Sequence, residues 1–169
     1  MKIEKSKNDI ESTVEQYSAL IYKIAFSYTK NYAVSEDILQ DVLITYITSS
    51  YEYANNEHKK AWIIRVTINE CKKYFRKLKY RTMYDVVPAI YDMDLKDNSD
   101  VTYAVMELPA KYRIVIHLYY YEQLSVHEIS DALKIKENTV MSLLHRARKK
   151  LKKIMEEEYE HESIPPVSK

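Results

Sequence analysis

The sequence contains no glycine at all, where average usage of about 7% would give roughly a dozen. Without glycine, architectures that rely on it for positive φ or close backbone approach are disfavoured. Gly-rich phosphate loops, dinucleotide-binding turns and tight β-hairpins go with them. Only four prolines interrupt the chain. The one cysteine, Cys71, excludes an intramolecular disulfide and a Cys-based zinc site. No His-Glu-x-x-His pairing occurs, since Asp131 stands where the second histidine would follow His127-Glu128. No apolar run approaches the 18 or so residues of a membrane span, and Met1–Glu11 is too charged for a signal peptide. Few breakers and 46% hydrophobic residues leave one fold class, all-α, in a soluble cytoplasmic protein with no metal and no cofactor.

Net charge is +1, so the total says nothing of partners, but its distribution does. Residues 65–81 carry seven Lys/Arg against one Glu, and 134–153 carry eight against one. Between them, 85–100 hold five Asp against Lys96, and 156–162 hold five Glu. Two basic blocks with an acidic spacer fit two polyanion surfaces; the alternative is solvated helix faces.

Helical spacing of Val14, Tyr17, Leu20/Ile21, Ile24 and Tyr28 predicts a helix over 13–30, after a charged, frayed arm at 1–12. Ser35 is expected to cap a second helix, placing Glu36 and Asp37 in its first turn. That helix carries an apolar stripe of Ile38/Leu39, Val42/Leu43 and Tyr46/Ile47. A third helix is expected over 59–79. On its wheel Arg65, Asn69, Lys72, Arg76 and Lys79 share roughly 80° of arc. Ile63, Thr67, Cys71, Tyr74 and Leu78 form the opposite, buried stripe. Trp62 lies beside the basic face, which suits unstacked single-strand bases equally with a core tryptophan under a solvated face. Residues 82–102 are acidic, contain Pro88 and lack a sustained period; they read as a flexible linker. The chain thus divides into a helical domain at 13–81, the linker, a second helical domain at 103–155 and an acidic, disordered tail at 156–169.

Ser125-Val126-His127-Glu128 matches a capping box opening a short helix that ends at Leu133. After the turn Lys134-Ile135-Lys136, a longer helix at 137–153 buries Val140, Leu144, Ala147, Leu151 and Ile154. This spacing is that of a DNA-binding helix–turn–helix, or of a helical hairpin in an unrelated bundle. Asn138, Thr139, Met141, Ser142, His145, Arg146, Lys149 and Lys150 remain outside, amides and hydroxyls first for base edges, then cations for phosphates. Lys134 occupies the position usual for a turn glycine, which predicts a strained or tight turn there.

Three blocks, SEDILQDVLITYI, AWIIRVTINECKKYFRK and LPAKYRIVIHLYYYEQLSVHEISDALKIKENTVMSLLHRARKKL, resemble bacterial RNA polymerase sigma factors of the sigma-70 family, extracytoplasmic-function group. The resemblance covers residues 12–153, and the chain length suits a group that keeps only regions 2 and 4. It implies a sigma factor that binds core RNA polymerase and directs promoter-specific initiation. Glu36, Asp37, Leu39, Gln40, Asp41 and Val42 would meet the β′ clamp helices. Trp62, Arg65, Asn69, Lys72, Lys73, Arg76, Lys77 and Lys79 would read and open the −10 element. Lys136, Asn138, Thr139, Met141, Ser142, His145, Arg146 and Lys149 would read the −35 element. Further implied partners are the β flap, promoter DNA and an anti-sigma factor, often membrane-bound. The chain departs from the family pattern at Lys73, Lys136, Met141 and Leu143. A stand-alone helix–turn–helix repressor or activator and a helical adaptor are the alternatives; no small-molecule substrate or catalytic constellation is expected.

Overall fold

The computed structural model describes residues 5–80 and 100–162, and all regular structure among them is helical. Residues up to 80 build one compact unit and most of 100–162 a second. The core of the linker, 82–99, lies outside the described residues, as do 1–4 and 163–169.

The first unit is three helices, α1 (Lys7–Thr29), α2 (Tyr32–Thr48) and α3 (Asn56–Tyr80), each packed on both others. Tyr17, Ile21 and Ile24 of α1 meet Ile38, Val42 and Tyr46 of α2 and Ile63, Ile64, Ile68 and Cys71 of α3 in a buried core. The α1 start corrects the expected frayed arm: Ser6 caps it, accepting from the Asp9 N–H at 3.2 Å. Asp9 is then held by partners on α2 and α3, which stabilises this first turn. Thr13 rather than Val14 enters the core, because its hydroxyl is satisfied by the Asp9 carbonyl (2.7 Å) and the Tyr46 hydroxyl (3.1 Å). At the other end Lys30 takes the left-handed conformation (φ 51°) and its N–H bonds the Phe26 carbonyl, the closure glycine usually supplies.

The cap of α2 is Asn31, not Ser35: Asn31 Oδ1 accepts from the Val34 N–H at 3.0 Å. Ser35 is buried one turn inside, its hydroxyl donating to the Asn31 carbonyl at 2.7 Å. Glu36 and Asp37 therefore sit past the first turn, where the helix dipole has largely decayed. Of the expected stripe, Ile38, Val42 and Tyr46 are buried and Ile47 is exposed. On α3 the buried stripe holds through Cys71; Tyr74 is half-buried and Leu78 exposed, because the end of α3 extends past its partners.

The second unit comprises α4 (Asp100–Glu107), α5 (Ala110–Ile116), a π-helical turn (His117–Tyr121), α6 (Val126–Leu133) and α7 (Glu137–Glu162). Helices α4 and α5 pack on α7 around Ala104, Leu108, Val115, Leu118, Val140, Leu144 and Ala147. Buried Arg113 donates from Nη1 to the carbonyls of Met106 (3.1 Å) and Leu108 (2.7 Å), tying α5 to the end of α4. Residues 100–102, expected in the linker, are the first turn of α4. Residues 156–162, expected in a disordered tail, continue α7. Lys152–Glu156 and Lys153–Glu157 pairs at i,i+4 spacing (3.7 and 3.6 Å) support that extension. Leu151 and Ile154 are half-buried rather than core.

Candidate polymerase and nucleic-acid interfaces

The outward face of α2 carries Glu36, Asp37, Gln40 and Asp41, all exposed, with Leu39 half-buried at its edge. Val42, expected among the contacts, is fully buried between Ile38 and Tyr46, so it supports this face from beneath and touches no partner. Exposed Ile44 extends the face with an apolar contact that the periodicity argument placed in no stripe. Four acceptor-rich side chains and the exposed Ile44 thus share one side of α2.

On α3, Asn69, Arg76 and Lys79 are exposed and Arg65 and Lys72 half-buried, all along one stripe. Lys73 and Lys77 are also exposed but lie off it; Lys73 pairs with Glu70 of its own helix at 3.1 Å. That pair partly neutralises the cation at one of the positions where the chain departs from the family pattern. Trp62 is half-buried in an aromatic cluster, edge-on to Tyr53 (centroids 5.6 Å) and Tyr46 (6.2 Å). Lys5 closes the same cluster: its Nζ donates to the Ser49 carbonyl at 2.9 Å and lies 4.8 Å from the Tyr46 ring centroid. Burial pushes the Tyr53 hydroxyl up to about 12, so Tyr53 keeps its proton at physiological pH.

The helix–turn–helix forms as its capping box directs. Glu128 Oε2 accepts from the Ser125 N–H at 2.7 Å, and Ser125 Oγ accepts from the Glu128 N–H at 3.2 Å. The turn closes through Ile135 N–H to the Ser130 carbonyl (3.2 Å) and the Ser130 hydroxyl to the Ile135 carbonyl (2.6 Å). Lys134 adopts φ 59°, the left-handed geometry expected at the glycine position. His127 Nδ1 meets Glu137 Oε1 at 2.8 Å and joins the two helices across the turn. Lys136 caps α7 through its carbonyl, which accepts from Thr139 and Val140, because its side chain has no acceptor to offer.

Along α7, Val140, Leu144 and Ala147 are buried while Asn138, Thr139, Met141, Ser142, His145, Arg146, Lys149 and Lys150 are exposed. Arg148 points elsewhere, donating to the Tyr120 hydroxyl at 2.8 Å and lying over Tyr119 and Tyr120. Among the described residues no group of three metal-ligating side chains occurs. No described helix is long and apolar enough to cross a membrane.

Both units match known sequence families. Residues 13–81 match sigma-70 region 2, and residues 99–151 match sigma-70 region 4. RNA polymerase sigma factor SigV of Bacillus subtilis is 31% identical over 132 residues, covering 76% of this chain and 80% of that one. The extracytoplasmic-function sigma factor SigM of the same organism is 27% identical over 152 residues, covering 85% and 93%. In structure the chain is similar to the sigma factor RpoE of Bartonella quintana, solved with the anti-sigma factor NepR. The TM-score is 0.67 at 23% identity, over 88% of this chain and 98% of that one. The chain belongs to the sigma-70 family of RNA polymerase sigma factors, in the extracytoplasmic-function group. It directs core RNA polymerase to promoters, a regulatory role in transcription initiation.

Proposed function

We propose the following division of labour among the faces. Glu36, Asp37, Leu39, Gln40 and Asp41 dock on the β′ clamp helices. Trp62, Arg65, Asn69, Lys72, Lys73, Arg76, Lys77 and Lys79 serve the −10 element; Lys136, Asn138, Thr139, Met141, Ser142, His145, Arg146 and Lys149 serve the −35 element. Residues 13–81 and 103–155 act as the two working domains, with the second also meeting the β flap. The observation that carries this reading is an acceptor-rich face on α2 and a basic stripe on α3 within one small helical unit. A stand-alone repressor needs only the second unit's α7 surface.

The chain supplies no catalytic group; the polymerase performs the chemistry, and the factor supplies sequence choice. Capturing unpaired −10 bases offsets an unpairing cost of a few kcal/mol. The protein acts in the cytoplasm, where an anti-sigma factor masks its polymerase- or DNA-binding surfaces.

Transcription of a randomised promoter library by core polymerase, with and without the protein, tests this. Start sites that arise only with the protein, sharing two spaced elements, are the expected result. With about five phosphates neutralised, log K falls against log[salt] with a slope near −4 to −5. Asp41→Ala with Gln40→Ala weakens core binding without unfolding the first unit. Arg146→Ala lowers transcription from duplex promoters yet spares a template already melted at −10. Specific DNA binding by the chain alone, without stimulation of polymerase, marks a repressor instead; silence in both assays marks an adaptor.

A further inference from the structure

The second helix of the helix–turn–helix opens on a stretch without a lysine or arginine. None occurs from Glu137 to Leu144, and the first on α7 is Arg146. Glu137, one turn before Met141, is engaged by His127 of α6 at 2.8 Å. Met141 itself is 50% exposed, and among the described residues it is the one large apolar side chain exposed on α6 and α7. At 100° per residue it lies about 60° from Asn138 and about 40° from His145, both of which are exposed.

Leaving a long apolar side chain in water gains nothing for the folded unit. A thioether has no donor and only a weak acceptor, so it does not read the hydrogen-bonding pattern of base edges. The major groove presents one apolar group, the 5-methyl of thymine. Guanine's commonest partner, a lysine or arginine bidentate to its O6 and N7, is lacking between Glu137 and Leu144. The cations Arg146 and Lys149 stand farther along the helix, where they suit phosphates.

We propose that Met141 is a specificity-determining residue that packs against the 5-methyl group of one thymine in the −35 element. The proposal rests on the assignment of α7 to that element. A thioether gains contact area only where a methyl group stands, so this contact selects thymine among the four bases. It neutralises no phosphate and adds nothing to the salt dependence of binding.

The test uses holoenzyme reconstituted from core polymerase and the full chain, on a duplex promoter selected by the library experiment. Each thymine of the −35 element, on either strand, is replaced in turn by deoxyuridine, which removes the 5-methyl and keeps the base pair. At one position wild type is expected to bind roughly 3- to 10-fold more weakly, the cost of one lost methyl contact. Met141→Ala is expected to lose the same factor on the thymine duplex and nothing further with deoxyuridine. Its salt slope and melting curve should match wild type. A deoxyuridine penalty that persists undiminished in Met141→Ala overturns the proposal. So does wild-type indifference at every position, or a selected −35 element without thymine on either strand. If Arg146→Ala still weakens duplex binding in those cases, the assignment of α7 to the −35 element stands; if it binds as wild type, that assignment fails too. Should Met141→Ala lower the melting temperature, Met141→Gln, of the same length, replaces it and is held to the same outcomes.

Discussion

Lys59 of α3 reaches across fifty residues of sequence to Asp9 of α1, with Nζ 2.9 Å from Oδ1. The Tyr46 hydroxyl of α2 donates to the other carboxylate oxygen, so one side chain is held by both neighbouring helices. Lys59 is buried, whereas Asp9 keeps partial contact with water.

Asp9→Asn is expected to destabilise the first unit by about 1–2 kcal/mol, because it leaves the Lys59 ammonium buried without its counter-charge. The hydrogen bond from Tyr46, and then those of Lys59, hold the Asp9 carboxyl below the ordinary range. Its contribution is full above the unfolded carboxyl value of about 3.9 and is lost as pH falls through the lower folded value. Urea midpoints of wild type and Asp9→Asn should therefore differ at pH 7 and converge below about pH 4. A constant gap across that range contradicts the ion-pair account.

Arg113→Met should cost the second unit about 1–3 kcal/mol. The change keeps the aliphatic stem but strips the donors from two buried carbonyls, those of Met106 and Leu108. Chemical denaturation followed by α-helical circular dichroism measures it. An unchanged midpoint shows that water replaces the guanidinium at no cost.

Lys134→Gly should stabilise the helix–turn–helix by a few tenths to about 1 kcal/mol. Relief of the left-handed strain of about 1–2 kcal/mol exceeds the added freedom of glycine in the unfolded chain. Lys134→Val, whose branched side chain fits that region worse, should lower the thermal midpoint instead. Equal midpoints for all three proteins mean that the turn stores no strain.

Burial pushes the Cys71 thiol up to about 12, far above the ordinary 8.5 or so, and no part of it faces solvent. Alkylation at pH 8 should accordingly be slow in native buffer and accelerate in urea along the unfolding curve of the first unit. Modification at the rate of a free peptide thiol in native buffer contradicts this packing.

How much was legible in the sequence differs element by element. The Ser125–Glu128 capping box and the strained Lys134 were readable because both are decided within four residues of chain. The buried positions Val140, Leu144 and Ala147 followed from period alone, since one side of α7 packs on α4 and α5 along that stretch. The α2 cap is Asn31 rather than Ser35, although both are good caps, because nothing local says which of the two side chains goes inside. The start of α1 was missed because Asp9 is a surface charge by composition; its partners, Tyr46 and Lys59, are 37 and 50 residues away.

The sequence by itself determined an all-helical chain, because a protein without glycine has few other ways to fold, and it determined the basic faces of α3 and α7, because helical period converts spacing directly into a side. Only the tertiary structure decided which of the expected contact residues are free. It withdrew Val42 into the core and engaged Trp62 with Tyr46 and Tyr53. It also left Phe75 in solvent beside the cations. The physical reason is that period fixes a direction around one helix, whereas exposure depends on where neighbouring helices end.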